Sequence, residues 1–197
     1  MTEAVSASDE ELALEAAQGR SSSFEELVGR YGGRLRHFLR QKVSSHQDAE
    51  DLVQETFLKA CRNIDRFCPE YKFSTWIYTI AYRLAVSRYR TLKKTQVYIE
   101  SDSSAPLPDE IVVQKDTARR IWAMARTLNV RYYEALWLRY AEEMSIREMS
   151  GVMKKSSTAV RVTLHRARLS LSKILEEDSD AAACLNGRSA CQKVTIL

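Results

Sequence analysis

The 197-residue chain holds 45% hydrophobic and 28% charged residues but only six glycines and three prolines, a balance that favours long helices and disfavours a loop-rich all-β fold. No apolar run approaches the roughly 18–20 residues needed to span a bilayer, and the acidic start MTEAVSASDEELALE lacks the basic-then-apolar order of a secretion signal, so a cytoplasmic location is expected. The net charge of +4 is modest but unevenly spread: residues 83–94 and 154–173 carry five and six basic groups with no acid, whereas DAEDLVQE at 48–55 concentrates four acids.

Capping boxes punctuate the chain, because a serine at the cap and a carboxylate three residues on satisfy each other's orphan backbone donors. Ser8 with Glu11, Ser23 with Glu26, Ser45 with Asp48 and Ser145 with Glu148 fit this pattern. Together with apolar periodicity they predict helices near 9–18, 23–42, 47–65, 74–93, 116–127, 131–142, 145–153 and 157–176. No segment alternates with the period of a strand, so the expected fold is all-α. Between 95 and 115, TQVYIESDSSAPLPDEIVVQK has two of the three prolines, a Ser/Asp cluster and no helical period, and it reads as a flexible linker. Two small helical domains follow, over 1–94 and 116–177, with a tail at 178–197 that has no clear amphipathic pattern.

The first basic patch (Arg83, Arg88, Arg90, Lys93, Lys94) lies on a helix rich in tyrosine. With Tyr78 at zero and about 100° per residue, Trp76, Ile77, Ile80 and Leu84 share one arc, which predicts the core face. Tyr78, Tyr82 and Tyr89 then fall together on the opposite side. Exposed tyrosines flanked by arginines offer rings for base stacking and charges for phosphates, which suits unpaired nucleic acid. The alternative is packing beneath a neighbouring helix or a partner protein. The preceding loop, RFCPEYKFS, adds Phe67, Tyr71 and Phe73 and tilts the reading toward nucleic acid.

The second patch (Lys154, Lys155, Arg161, Arg166, Arg168, Lys173) lies in SIREMSGVMKKSSTAVRVTLHRARLSL, which has the layout of a helix-turn-helix. Ile146, Met149 and Met153 give the first helix an inner face, and Val160, Leu164, Ala167 and Leu171 do so for the second, capped by Ser156 or Ser157. The outer side of the second helix presents Thr158, Arg161, Val162, His165 and Arg166, a set able to touch base edges and backbone in a major groove. At the turn, where glycine commonly supplies a left-handed backbone, this chain has Lys154, at a cost of about 1 kcal/mol.

Taken together these stretches resemble a bacterial sigma factor of the extracytoplasmic-function group, over most of residues 23–176. DAEDLVQETFLKACRNIDRF at 48–67 resembles the family's polymerase-docking segment, FSTWIYTIAYRLAVSRYR at 73–90 its minus-ten segment, and MSIREMSGVMKKSSTAVRVTLHRARLSL at 144–171 its minus-thirty-five reader. The resemblance implies a transcription initiation factor that binds RNA polymerase core through the beta-prime clamp and beta flap, directs it to promoter DNA, helps open the minus-ten element, and is held in check by an anti-sigma factor. It further implies polymerase contacts at Asp48, Asp51, Leu52, Gln54, Glu55 and Phe57. Minus-ten contacts are implied at Phe67, Tyr71, Lys72, Phe73, Ser74, Tyr78, Tyr82, Arg83 and Arg90, with Trp76 structural. Minus-thirty-five contacts are implied at Ser156, Ser157, Thr158, Arg161, Val162, His165 and Arg166. Where such factors often carry Asn and Asp this chain has Arg83 and Ser87, and Thr163 stands where Arg is frequent, so its promoter preference is expected to differ from the common one.

Cys61 with Cys68, and Cys184 with Cys191, each enclose six residues, unlike the two to four of common zinc sites, and only three histidines accompany them, so neither a metal nor a cofactor is expected. No Gly-rich phosphate loop, HExxH or GxSxG is present, which argues against an enzyme. The nearer rival is a stand-alone helix-turn-helix regulator with an N-terminal sensing or dimerisation domain. That reading accounts for residues 116–176 but leaves the aromatic loop, the tyrosine row and the acidic helix without a role.

Overall fold

A computed structural model describes residues 7–43, 45–95 and 116–177, and among them every regular element is helical. The chain divides into two compact units, Met1–Asp102 and Ser103–Leu197. Of the linker (95–115) and tail (178–197) read from the sequence, Thr95 ends the helix that begins at Phe73, and the rest lies outside the described residues.

In the first unit, α1 (Asp9–Ala17), α2 (Ser21–Arg40), α3 (His46–Cys61), a 3-10 turn (Ile64–Arg66) and α4 (Phe73–Thr95) pack around one core. The capping box of Ser8 and Glu11 forms as expected and opens α1. Gly19 at φ 94° then turns the chain into α2, a conformation open to glycine at little cost. The expected box of Ser23 and Glu26 does not form. The α2 helix starts at Ser21, and Ser23 is buried one turn inside it, where its hydroxyl donates to Glu15 at 2.6 Å and ties α1 to α2. That bond, with Arg20 beside it, holds the Glu15 carboxyl below the usual range. Ser45 caps α3 by accepting from the Asp48 N–H at 3.0 Å, but the Asp48 carboxylate turns to the Ser45 hydroxyl and to Arg88 instead of completing a box.

The α4 helix departs most from expectation. Its buried residues are Phe73, Ser74, Ile77, Tyr78, Ala81, Leu84 and Ala85, an arc rotated by about 80° from the one drawn through Trp76, Ile80 and Leu84. The cause is the small residues. Ser74, Ala81 and Ala85 add little apolar signal but let helices approach closely, and α4 packs against both α2 and α3. Tyr78 is therefore fully buried, edge-on to Phe38 with ring centroids 5.1 Å apart. Tyr82 is half-buried under Lys42, whose ammonium lies 4.0 Å from the ring centroid, and only Tyr89, past the last buried turn, is exposed.

In the second unit, α5 (Asp116–Arg126), α6 (Val130–Leu136) with a π-helical turn (Trp137–Ala141), α7 (Ile146–Met153) and α8 (Ser157–Glu177) form the helix-turn-helix and its support. Trp122, Tyr133 and Trp137 cluster as its aromatic centre, with centroids 4.9–6.0 Å apart: Tyr133 stacks on Trp137, and Trp122 meets Tyr133 edge-on. Burial pushes the Tyr133 hydroxyl well above the usual phenol range, and the Arg126 charge offsets this only in part. The Ser145 and Glu148 capping box opens α7, and Lys154 closes it in the left-handed region at φ 51°, as the sequence predicts. Of the two serines that could cap α8, Ser156 does so, accepting from the Ala159 N–H at 3.2 Å, while the Ser157 hydroxyl lies 3.1 Å from that of Ser150 on α7.

Two stability outcomes follow from these placements. Tyr78→Ala should cost about 3 kcal/mol or more in urea unfolding, as for other buried rings, whereas Tyr71→Ala should change stability by less than about 0.5 kcal/mol; equal costs would contradict the burial described. Lys154→Gly should raise the unfolding free energy of the second unit by roughly 0.5–1 kcal/mol, because the glycine adopts the left-handed turn without a Cβ clash, and a loss of stability there would refute the assignment of strain.

Candidate nucleic-acid and polymerase interfaces

The loop between the 3-10 turn and α4 is shaped by rings at both ends. Phe67 and Phe73 are buried and lie 5.7 Å apart, each also 5.7 Å from Trp76, and Phe73 meets Tyr31 of α2 at 5.3 Å. With both ends turned inward, the intervening residues Cys68–Lys72 are pushed out, and Tyr71 is 66% exposed. Of the nine minus-ten candidates, Phe67, Phe73, Ser74 and Tyr78 therefore belong to the interior. Tyr71, Lys72, Arg83 and Arg90 are on the surface, and Tyr82 is between the two. Lys42, which no sequence pattern singles out, joins this surface by lying over Tyr82.

The acidic helix shows a similar division. Leu52 and Phe57 are buried, Phe57 edge-on to Phe24 at 6.4 Å. Asp48 is engaged by Arg88 of α4, which also comes within 4.0 Å of Asp51, so one cation of the first basic patch is spent inside the unit. Gln47 donates to Asp51 at 3.0 Å. Gln54 and Glu55 point to solvent, and so does Leu58, an apolar side chain 59% exposed on the same face. Leu58 lies opposite the buried arc of Leu52, Val53, Thr56, Phe57 and Ala60, so the helical period itself marks it as outward, although its apolar character alone suggests a core residue.

On α8, Ser156, Thr158, Arg161, Val162, His165 and Arg166 are all exposed, and Ser157 is half-buried by its contact with Ser150. Val162 is an apolar residue left 45% exposed beside Arg161, His165 and Arg166. Between α5, the π-helical turn and the far end of α8 there is also an apolar cleft of about 380 Å³, walled by Ile121, Trp122, Leu136, Tyr140, Leu171 and Leu175.

Cys61 and Cys68 are exposed free thiols, Cys184 and Cys191 lie outside the described residues, and no three His, Cys, Asp or Glu side chains gather as a metal site among the described residues. Nor is any described helix long and apolar enough to cross a membrane.

Comparison with known proteins agrees with this geometry. Residues 27–95 match sigma-70 region 2 and residues 118–171 match sigma-70 region 4, together more than half of the chain. The ECF RNA polymerase sigma factor SigW of Bacillus subtilis is 28% identical over 174 residues, covering 81% of this chain and 92% of that one. Among solved structures, CnrH in complex with the cytosolic domain of CnrY matches with TM-score 0.60 and 27% identity, covering 86% of this chain and 98% of that one. The sigma factor RpoE in complex with the anti-sigma factor NepR from Bartonella quintana matches with TM-score 0.59 and 25% identity, covering 78% and 96%. With both regions present in that order on an all-helical fold, the chain belongs to the extracytoplasmic-function group of the sigma-70 family, transcription initiation factors that bind RNA polymerase.

Proposed function

We propose that this factor works in the cytoplasm without catalysis of its own, holding polymerase and opened minus-ten DNA through residues 1–94 and the minus-thirty-five duplex through 116–177, with 95–115 as the tether. The observation that carries the reading is the pair of exposed faces on otherwise well-packed units: the Tyr71 and Lys72 lip with Arg83 and Arg90, and the acid-free outer side of α8.

At the first face, Tyr71 and the partly open Tyr82 ring stack on unpaired bases, while Lys72, Arg83, Arg90 and Lys42 meet phosphates. Phe67, Phe73, Ser74 and Tyr78 act one layer behind, fixing the lip's shape. Opened DNA suits this face better than duplex because only unstacked bases offer their planes to a ring. At the second, Arg161 and Arg166 with Ser156, Thr158 and His165 bind across the major groove and its backbone, Val162 packs on a base edge, and Ser157 holds the helix start in place.

The α3 face of Asp51, Gln54, Glu55 and Leu58 is the polymerase-docking surface in this reading, with Asp48, Leu52 and Phe57 shaping it from within. An apolar centre within a polar rim is the usual form of an affinity-bearing contact. The apolar cleft beside α8 suits an apolar segment of the polymerase flap. An anti-sigma partner is proposed from the two solved relatives, CnrH with CnrY and RpoE with NepR.

Run-off transcription with purified core polymerase on a genomic promoter library should give new start sites only when the protein is added. Tyr71→Ala with Arg83→Ala should reduce open complexes about tenfold or more while leaving core binding intact, and Arg161→Ala should weaken minus-thirty-five promoters by roughly 1–3 kcal/mol. Tight, specific duplex binding without core, and no initiation, would instead favour the stand-alone regulator.

A further inference from the structure

Lys72, the residue before α4, has no side-chain acceptor to cap the helix, and the first turn holds no acid. The missing acceptor comes from α1, sixty-three residues away in sequence: the Glu10 carboxylate accepts from the Phe73 N–H at 2.9 Å. An anion at that position both satisfies a donor and faces the positive end of the helix dipole. A second, independent tie runs from the neighbouring residue. Asp9 accepts from the Tyr31 hydroxyl, and from Arg30 at 2.6 Å, and Tyr31 is the ring that meets Phe73. Consecutive acids of α1 thus grip Phe73 from its backbone and from its ring neighbour.

We propose that Glu10 is a positioning residue for promoter opening, acting through Phe73 to hold the Tyr71 and Lys72 lip in its strand-capturing shape. The inference rests on the minus-ten assignment given above, and it extends the functional unit to α1, which precedes the segment matching sigma-70 region 2. The mechanism is direct. Phe73 is the first residue of α4 and follows the lip by one position, so the angle at which the chain enters the helix fixes where Tyr71 and Lys72 stand. Removing the acceptor frees the first turn to fray, and the lip then samples orientations in which ring and ammonium no longer engage one strand together.

The test uses the full chain with core polymerase and a fluorescent non-template minus-ten strand, well below the unfolding midpoint. Glu10→Ala should make the Phe73 amide exchange faster with solvent and weaken strand capture about five- to twentyfold, with minus-thirty-five duplex binding unchanged. Glu10→Gln, which keeps a neutral acceptor, should recover most of the loss. In a Tyr71→Ala background, Glu10→Ala should cost less than about twofold, because its effect passes through the lip; a merely structural role would cost the same factor in both backgrounds. Unchanged strand capture in Glu10→Ala despite a labile Phe73 amide, or fully additive losses, would overturn the proposal while leaving the minus-ten assignment standing. Failure of the wild-type chain to capture the strand would remove both.

Discussion

The first unit depends on the burial of Phe73. Its ring has no exposed surface and lies where α1, α2, the 3-10 turn and α4 converge, touching Tyr31, Phe67 and Trp76. Burying an aromatic side chain of this size removes roughly 150–250 Å² from water, worth several kcal/mol at about 25 cal/mol per Å². No exposed contact in the loop offers a comparable gain, so the rings at its two ends go inward and the polar stretch between them goes outward. The outward lip at Tyr71 and Lys72 is in this sense a by-product of core packing. It is held from behind by buried rings, which explains how a short loop keeps one shape.

The second unit solves a different problem, that of presenting one helix face to a duplex. The Trp122, Tyr133 and Trp137 cluster joins α5 to α6 and the π-helical turn, both helices pack on α8, and within the turn Trp137 donates to the buried Glu142 at 3.2 Å while Arg139 reaches the Met144 carbonyl at 2.8 Å. These bonds fix the chain's path into α7. The left-handed Lys154 then sets the turn from α7 to α8, and the serine pair Ser150 and Ser157 fastens it. Arg161, His165 and Arg166 stay on the surface because the inner side of α8 is already committed to Val160, Leu164 and Ala167.

Much of this was legible in the sequence, and the failures have physical causes. The all-helical class, the helix-turn-helix and the strained Lys154 were all readable, because capping serines, 3.6-residue periods and the lack of a turn glycine are local signals. The face of α4 was not. Periodicity weights a residue by its apolar character, and Ser74, Ala81 and Ala85 carry almost none, yet small residues are what bring helices into close contact. Once α4 is packed on two sides, Tyr78 falls inside. The same blindness to tertiary placement hid the Lys42 contact with Tyr82 and the Glu10 cap on α4, each set by a neighbour distant in sequence. The Asp48 and Arg88 pair shows that even charge counting overstates a patch when two oppositely charged helices pack together.

The central claim is that opened DNA meets the outward lip and not the buried rings behind it. Photocrosslinking tests this directly: promoter DNA carrying 5-iodouracil along the non-template minus-ten strand is irradiated in the open complex, and the attached residues are mapped by mass spectrometry. Crosslinks at Tyr71, with Tyr82 as the second site, are the predicted result. Crosslinks at Phe73 or Tyr78 would contradict it, since those rings could be reached only if the core opened on binding.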